Sequence, residues 1–542
     1  MRNRNGSNLK KVANGEIRGY VREEIASLLP PPFFDDPLSA VQKMGAEIVK
    51  ESRLRWAAVL TLPNRQRIFF KRNRTKNWFE ALKFFLLPSK AQKEWLVSYE
   101  LQKRNNPIPR PLGWMEKRCW GVIKESYYLS EAVGSGVGLI DDPEKKRDQR
   151  TVSDLAEAVR RIHEAGLFHL DFHAGNLLWD GERFLLIDLH RARVLKSLSL
   201  TQRLWNLAEL FHSLRSSWGE KEQLGFLERY FQGAPVSPEK KKKYLGEIRA
   251  WMDRLQKKQW ASRTKRCLKE STEFSITKGK GIRSYHRRDF SLENAKEAIE
   301  RHRRFVSENT TELVKNSPEV SVSIFEHLGG RISVKQFRYL HLPDRLKERF
   351  RKSKGLKAWV AGNGLRAREI PSLKPLVLVE KGSWVGLRET FFLMEAPERG
   401  LEMDRYILRG FKDLREKRGF VRTFGQWVSS FHRMDLYHSD MKTCNILVEE
   451  GGGTWRFLLL DLEDVSLNCR IDEGKVFRNF LQLNTSTPGI LTGRDRMRFY
   501  REYLRTNPVI RNERVFLRRL FEKSRERGLV YVSPEGVVEE KL

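Results

Sequence analysis

The chain has 542 residues, of which 103 are Lys or Arg and 69 are Asp or Glu, for a formal net charge of +34. Apolar residues make up 40%, enough to bury large cores, which excludes disorder as the dominant state. The four cysteines, Cys119, Cys267, Cys444 and Cys469, form no CxxC pair, so ordinary cytosolic thiols are expected rather than a zinc ribbon or redox pair. So basic a chain should seek anionic partners: nucleic acid, an anionic membrane face or a phosphorylated substrate. The N-terminus is basic but no apolar region follows it, so no secretory signal is expected. No apolar run reaches the roughly 18 residues of a membrane span.

In chain order, residues 57–62 and 67–71 read as strands around the turn signal Pro63-Asn64. The apolar segment 78–87 lies among Lys71, Arg72, Arg74, Lys76, Lys90 and Lys93. It reads as a helix packed in a small lobe or lying in a membrane interface. Residues 153–165 have helical spacing, with Leu155, Ala158, Val159 and Ile162 on one face and Gly166 as the stop. Residues 240–318 hold the basic runs 240–243, 263–266 and 301–304 and read as last helices plus a basic connector. Beyond it, strands 320–325 and 331–335 flank Gly329-Gly330, and 427–434 repeats the helix of the first half. Residues 511–527 read as an amphipathic surface helix.

These elements recur. Glu47-Ile-Val-Lys50 and Arg67-Ile-Phe-Phe-Lys71 match Glu312-Leu-Val-Lys315 and Arg331-Ile-Ser-Val-Lys335. Trp95 follows Lys71 at the spacing at which Trp359 follows Lys335. The period is too long for a solenoid and indicates a duplicated domain. The expected division is 1–259, including an N-terminal extension, and 260–542, with the basic connector at its start.

Each half carries one motif set in the same order. The first has His169-Leu-Asp171-Phe-His173-Ala-Gly-Asn176 and then Phe184-Leu-Leu-Ile-Asp188. The second has His438-Ser-Asp440-Met-Lys442-Thr-Cys-Asn445 and then Phe457-Leu-Leu-Leu-Asp461. Phosphoryl transfer from ATP needs an aligned nucleophile and neutralised phosphate charge. A loop carboxylate, Asp171 or Asp440, can accept a hydrogen bond from the attacking hydroxyl. The amides of Asn176 and Asn445, and the second carboxylates Asp188 and Asp461, suit Mg2+, which takes few carboxylates plus phosphate oxygens.

HxDxxxxN followed by an apolar run and Asp resembles the catalytic and metal loops of the protein-kinase-like superfamily. The first copy is similar to the small-molecule branch; the second carries Lys442, as protein kinases do. A closer resemblance is to the lipopolysaccharide core kinases, which phosphorylate Kdo or heptose. It rests on Ile68-Phe-Phe-Lys71, Ser89-Lys-Ala-Gln-Lys-Glu94-Trp95, Pro107-Ile-Pro-Arg-Pro111 and His169 to Asn176. In the second half it rests on Ser333-Val-Lys335, residues 353–359 and His438 to Asn445. The resemblance implies an α+β fold of two tandem protein-kinase-like bilobal domains. It implies that Lys71 and Lys335 contact ATP phosphates, that Glu94 holds Lys71, and that 131–133 and 395–397 are the adenine-side hinges.

Three departures stand out. Ala358 replaces the helix glutamate in the second copy, so Glu348 or another acid would have to substitute. Neither copy has a GxGxxG loop, and Gly279-Lys280-Gly281 lies too far upstream of Lys335 to serve. The glycine expected after each metal aspartate is replaced by His190 and by Glu463. The stretches from Asp188 to Asn206 and from Asp461 to Asn479 are equally short and leave little room for a peptide-docking loop.

The reading is an ATP- and Mg2+-dependent kinase acting on a sugar hydroxyl of an anionic glycolipid, with lipopolysaccharide inner core leading. It would work in the cytoplasm with peripheral contact to the inner membrane. The alternatives are one active domain beside a regulatory pseudokinase, or a non-enzymatic basic scaffold on membrane or, less favoured, nucleic acid.

Overall fold

The computed structural model describes residues 9–541 apart from 77–79, 81–83, 85–86, 135–147, 280, 344, 346–350, 384–385 and 398. Most of the apolar segment 78–87, the candidate acid Glu348 and Lys280 therefore lie outside the described residues. The chain divides into two compact units, Met1–Gln256 and Lys257–Leu542.

The first unit opens with a seven-stranded antiparallel sheet: β1 Leu9–Asn14, β2 Ile17–Arg22, β3 Glu47–Glu51, β4 Arg55–Thr61, β5 Arg67–Arg74, β6 Pro111–Cys119 and β7 Val122–Glu131. Their order is β1-β2-β6-β7-β5-β4-β3. Buried positions alternate along β5, placing Ile68 and Phe70 in a core with Phe33, Trp56 and Tyr127. Lys71 pairs with Ala57 on one side and Tyr128 on the other, so its backbone is fixed by two ladders. Helix α1, Lys90–Lys103, is capped by Ser89, whose hydroxyl accepts from the Gln92 amide. The helical lobe contains α2, Gln149–Glu164, and α3, Leu200–Ser213, around a core of Leu155, Val159, Leu207 and Phe211.

The second unit repeats this design. Its sheet consists of β8 Phe274–Gly279, β9 Ile282–Arg287, β10 Leu313–Asn316, β11 Val320–His327, β12 Gly330–Arg338, β13 Pro375–Ser383 and β14 Gly386–Glu395. The order β8-β9-β13-β14-β12-β11-β10 is that of the first sheet, strand for strand. Helix α4, Lys354–Arg366, is capped by Ser353 as α1 is by Ser89. Helices α5, Leu414–Arg433, and α6, Glu473–Ser486, take the places of α2 and α3. The α+β, two-lobed, tandem architecture expected from the resemblance is the one observed.

One expectation is corrected. Much of the stretch read as a basic connector is sheet and helix: β8 and β9 form a hairpin, and helix Leu292–Glu308 packs Ala295, Ala298 and Ile299 against the sheet core. The N-terminal extension is likewise structural, because β1 and β2 are the matching hairpin of the first sheet. Alternating surface lysines and arginines obscured half-buried strands. The helix expected over 511–527 is present as Glu513–Arg527, with Phe516 buried and Val515 and Phe521 exposed.

Strands β2 and β6 meet at glycines. A Cβ on Gly19 would sit 2.2 Å from the Trp114 carbonyl oxygen, so the two backbones approach more closely than any side chain permits. We expect Gly19→Ala to lower stability by about 1–3 kcal/mol through overpacking. Gly246→Ala, at an exposed position in helix Pro238–Thr264 with open space around it, should raise stability by about 1 kcal/mol. Urea unfolding curves of the two variants check both signs.

Candidate active site

In the first unit, strand Leu167–His169 pairs with Ala192–Val194, and the intervening loop carries the 3-10 turn Ala174–Asn176. Hairpin Leu177–Trp179/Phe184–Leu186 then delivers Asp188, held at φ 61° in the left-handed region. A cleft of about 580 Å³ is lined by Lys71, Glu94, Asp171, Asn176 and Asp188, together with residues 130–134. The structure thus brings all five first-half site residues, and the expected hinge 131–133, to one cavity.

Lys71 Nζ donates to Glu94 Oε2 at 3.0 Å and also to Asp188. His190 Nδ1 reaches Asp188 Oδ1 at 2.5 Å, and Arg55 lies 3.9 Å from the same carboxylate. Burial by itself would drive the Lys71 amine toward neutrality, but Glu94 and Asp188 outweigh it and raise its pKa. Burial also pushes Asp188 upward; His190 and Lys71 overcome this and hold it well below the usual carboxylate range. Glu94, Asp188 and His190 are close enough to enclose a metal ion. The Lys71 ammonium already bonds both acids, so this trio serves the lysine. The oxygen donors that fit a hard cation are Asp188 and Asn176. The Asn176 amide nitrogen donates to Asp171 O at 3.0 Å, which commits the nitrogen and offers the oxygen.

His169 is a brace and not a base. Its Nδ1 accepts from the Asp171 amide at 3.0 Å, so Nε2 carries the proton and donates to Asp188 O at 3.2 Å. Burial lowers its pKa to about 4, keeping it neutral. One ring therefore ties the two loops together.

The second unit builds the same frame. Asp461 has φ 44°, and His438 Nδ1 accepts from the Asp440 amide at 3.2 Å while Nε2 donates to Leu460 O at 3.3 Å. Asn445 donates to Asp440 O at 2.8 Å. Lys335 Nζ donates to Asp461 Oδ1 and to Glu463 Oε1, both at 2.6 Å. Glu463 thus supplies the acid that Ala358 lacks. Helix and loop are in close contact there: a Cβ on Gly362 of α4 would lie 2.6 Å from Pro375 and 3.1 Å from Leu462, the residue before Glu463. Ala358 is fully buried at that closeness. The glycine-free turns also match: Ser52 and Ser317 each accept from the amide three residues on, that of Arg55 or Val320.

Sequence reasoning missed the supports beneath each loop. On α3, Asn206 donates to His169 O, Glu209 accepts from the Phe172 amide at 2.9 Å, and Ser213 accepts from the Ala174 amide at 2.9 Å. On α6, Asn479, Gln482 and Ser486 make the equivalent bonds to His438 O, the Met441 amide and the Thr443 amide. The signal was present as three polar residues at the same spacing on both helices.

Burial lowers the Lys335 pKa, and Glu463 and Asp461 more than restore it. Replacing Glu463 with Gln removes one anion, so the amine should lose its proton more readily. We expect amine-selective labelling of Lys335 at mildly alkaline pH to rise by about tenfold per unit of pKa lost. Peptide mass spectrometry of labelled wild type and Glu463→Gln reads this directly.

The profile of the lipopolysaccharide kinase (Kdo/WaaP) family matches residues 40–230 and 344–503. Among curated proteins, the 3-deoxy-D-manno-octulosonic acid kinase of Xanthomonas campestris pv. campestris is 32% identical over 142 residues, 24% of this chain and 51% of that protein. Its counterpart from Xanthomonas euvesicatoria pv. vesicatoria is 31% identical over 144 residues, 24% of this chain and 52% of the other. The chain spans about half the length of the curated relatives it matches. A solved structure described as WaaP in complex with acyl carrier protein is 21% identical, covering 44% of this chain and 97% of its own, with a TM-score of 0.33. Two matched segments, each within a unit that holds a lysine, a loop aspartate, an asparagine and a second aspartate in order, identify the chain as a member of the lipopolysaccharide kinase (Kdo/WaaP) family.

Proposed function

We propose that the chain transfers the γ-phosphoryl group of ATP to a hydroxyl of a Kdo-type sugar in the inner core of lipopolysaccharide. In this reading both units are active. The observation that carries it is the duplicated cluster of a buried lysine, bonded to two acids, beside a loop aspartate. Lys71 and Lys335 would bind the phosphates, with Glu94 and Glu463 orienting them. Asp171 and Asp440 would align the acceptor hydroxyl and take its proton. Asn176 with Asp188, and Asn445 with Asp461, would hold Mg2+, which when bound neutralises phosphate charge. Family membership and the relatives' names support the sugar acceptor, and the net charge of +34 suits a phosphorylated lipid surface. Dependence on ATP and a lipid-linked acceptor favour work at the cytoplasmic face of the inner membrane. Among the described residues no helix is long and apolar enough to cross a membrane. A single active domain beside a pseudokinase was suggested by Ala358; the Glu463–Lys335 bond speaks for two sites.

Labelled-phosphate transfer from ATP to purified, core-dephosphorylated lipopolysaccharide tests the proposal. Asp171→Asn and Asp440→Asn should each remove part of the transfer, and the double variant should fall by about 10²-fold or more. Transfer that persists in the double variant sinks both sites. If Asp440→Asn matches wild type and Asp171→Asn matches the double variant, only the first unit is a kinase.

A further inference from the structure

We propose that Arg191 is a catalytic residue of the first site, the cation that takes hold of the phosphoryl group in flight, standing in for the catalytic-loop lysine that the second copy keeps as Lys442 and the first copy lacks. The inference rests on the kinase reading above and assigns a residue that reading leaves out.

Each loop aspartate carries one cation. Arg191 Nη1 lies 3.0 Å from Asp171 Oδ2, and Lys442 Nζ lies 3.1 Å from Asp440 Oδ1. The two cations come from different loops. Lys442 stands two residues after its aspartate, where the first copy has His173. Arg191 stands three residues after Asp188, where the second copy has Asp464. Asp464 instead accepts from the Ser439 hydroxyl at 2.9 Å. The positive charge has moved between loops, yet its position against the aspartate is kept.

Stability does not explain this retention. Arg191 and Asp171 are 50% and 47% exposed at their side chains, and Lys442 and Asp440 are 49% and 39% exposed. Ion pairs so open to water are worth about 0–1 kcal/mol. The backbone carrying Arg191 is nevertheless firmly set. It follows the left-handed Asp188, its carbonyl accepts from the Leu170 amide at 3.2 Å, and the next residue, Ala192, pairs with His169. A fixed base bearing an exposed guanidinium beside the loop aspartate is suited to an arriving anion.

The chemistry calls for such a group. In the transfer, a bond forms between the acceptor oxygen and the γ-phosphorus. The bond from that phosphorus to the β–γ bridging oxygen breaks, ADP leaves, and the hydroxyl proton passes to Asp171. Moving the guanidinium from the carboxylate to the equatorial phosphoryl oxygens frees Asp171 Oδ2 for the acceptor hydroxyl and neutralises charge where it develops. His173 would occupy the place from which Lys442 acts in the second unit.

The test uses the full-length Asp440→Asn chain, which reports the first site alone. Phosphate transfer from ATP to core-dephosphorylated lipopolysaccharide is measured beside ATP binding and thermal melting. Arg191→Ala should cut kcat by about 10²-fold or more, as loss of a transition-state cation does, and leave ATP affinity within about threefold. Arg191→Lys should keep kcat within about tenfold of its parent. The double change His173→Lys with Arg191→Ala returns the cation from the other loop and should regain at least about tenfold over Arg191→Ala. Full kcat in Arg191→Ala, where Asp171→Asn abolishes transfer, overturns the inference and leaves the kinase reading standing. A double variant that melts like Arg191→Ala but transfers no faster overturns it as well. Absence of transfer in the chain with both aspartates intact overturns the kinase reading itself.

Discussion

An ammonium group held under a β-sheet, out of reach of bulk water, must be matched by negative charge. Lys71 and Lys335 are 8% and 7% exposed, and each is bonded to two carboxylates. Removing one partner of so buried a pair costs about 3–5 kcal/mol, because the remaining charge is left stranded. Much else around each lysine follows from this demand. The aspartate that answers the lysine is set at the end of a hairpin in a left-handed conformation, and one neutral histidine carries the loop aspartate alongside it.

The two copies satisfy the demand with different parts. In the first the second acid comes from helix α1, as Glu94; in the second it comes from the loop, as Glu463. His190, the first copy's residue at the Glu463 position, bonds Asp188 instead. What is maintained between the copies is a second carboxylate on the lysine, delivered from the helix in one and from the loop in the other. The polar ladder on α3 and α6 shows the opposite behaviour: its three positions are unchanged, and each bonds the matching backbone carbonyl or amide of its loop.

This difference explains how much could be read from the chain alone. Lys71, Asp171, Asn176, Asp188 and their partners were legible because loop chemistry is written at short spacing, and the repeat gave each motif a second witness. The two-lobed fold followed from the order of those motifs. Glu463 was visible only as a departure, because its bond to Lys335 joins residues far apart in the chain. The hairpin β8–β9 was read as connector, since strands bearing Lys278, Arg283 and Arg287 at a sheet margin carry too weak an apolar alternation. The bonds of Asn206, Glu209 and Ser213 to the loop were not read because polar residues on a helix usually face solvent.

The exchange of Glu94 for Glu463 also constrains how the duplicated halves can recombine. Grafting the second loop onto the first unit would bring a third acid beside Lys71. The reverse graft would leave Lys335 facing Asp461's counterpart with no companion carboxylate from α4. Helix and loop therefore act as one block: an exchange confined to either segment yields a mismatched set of charges around the lysine.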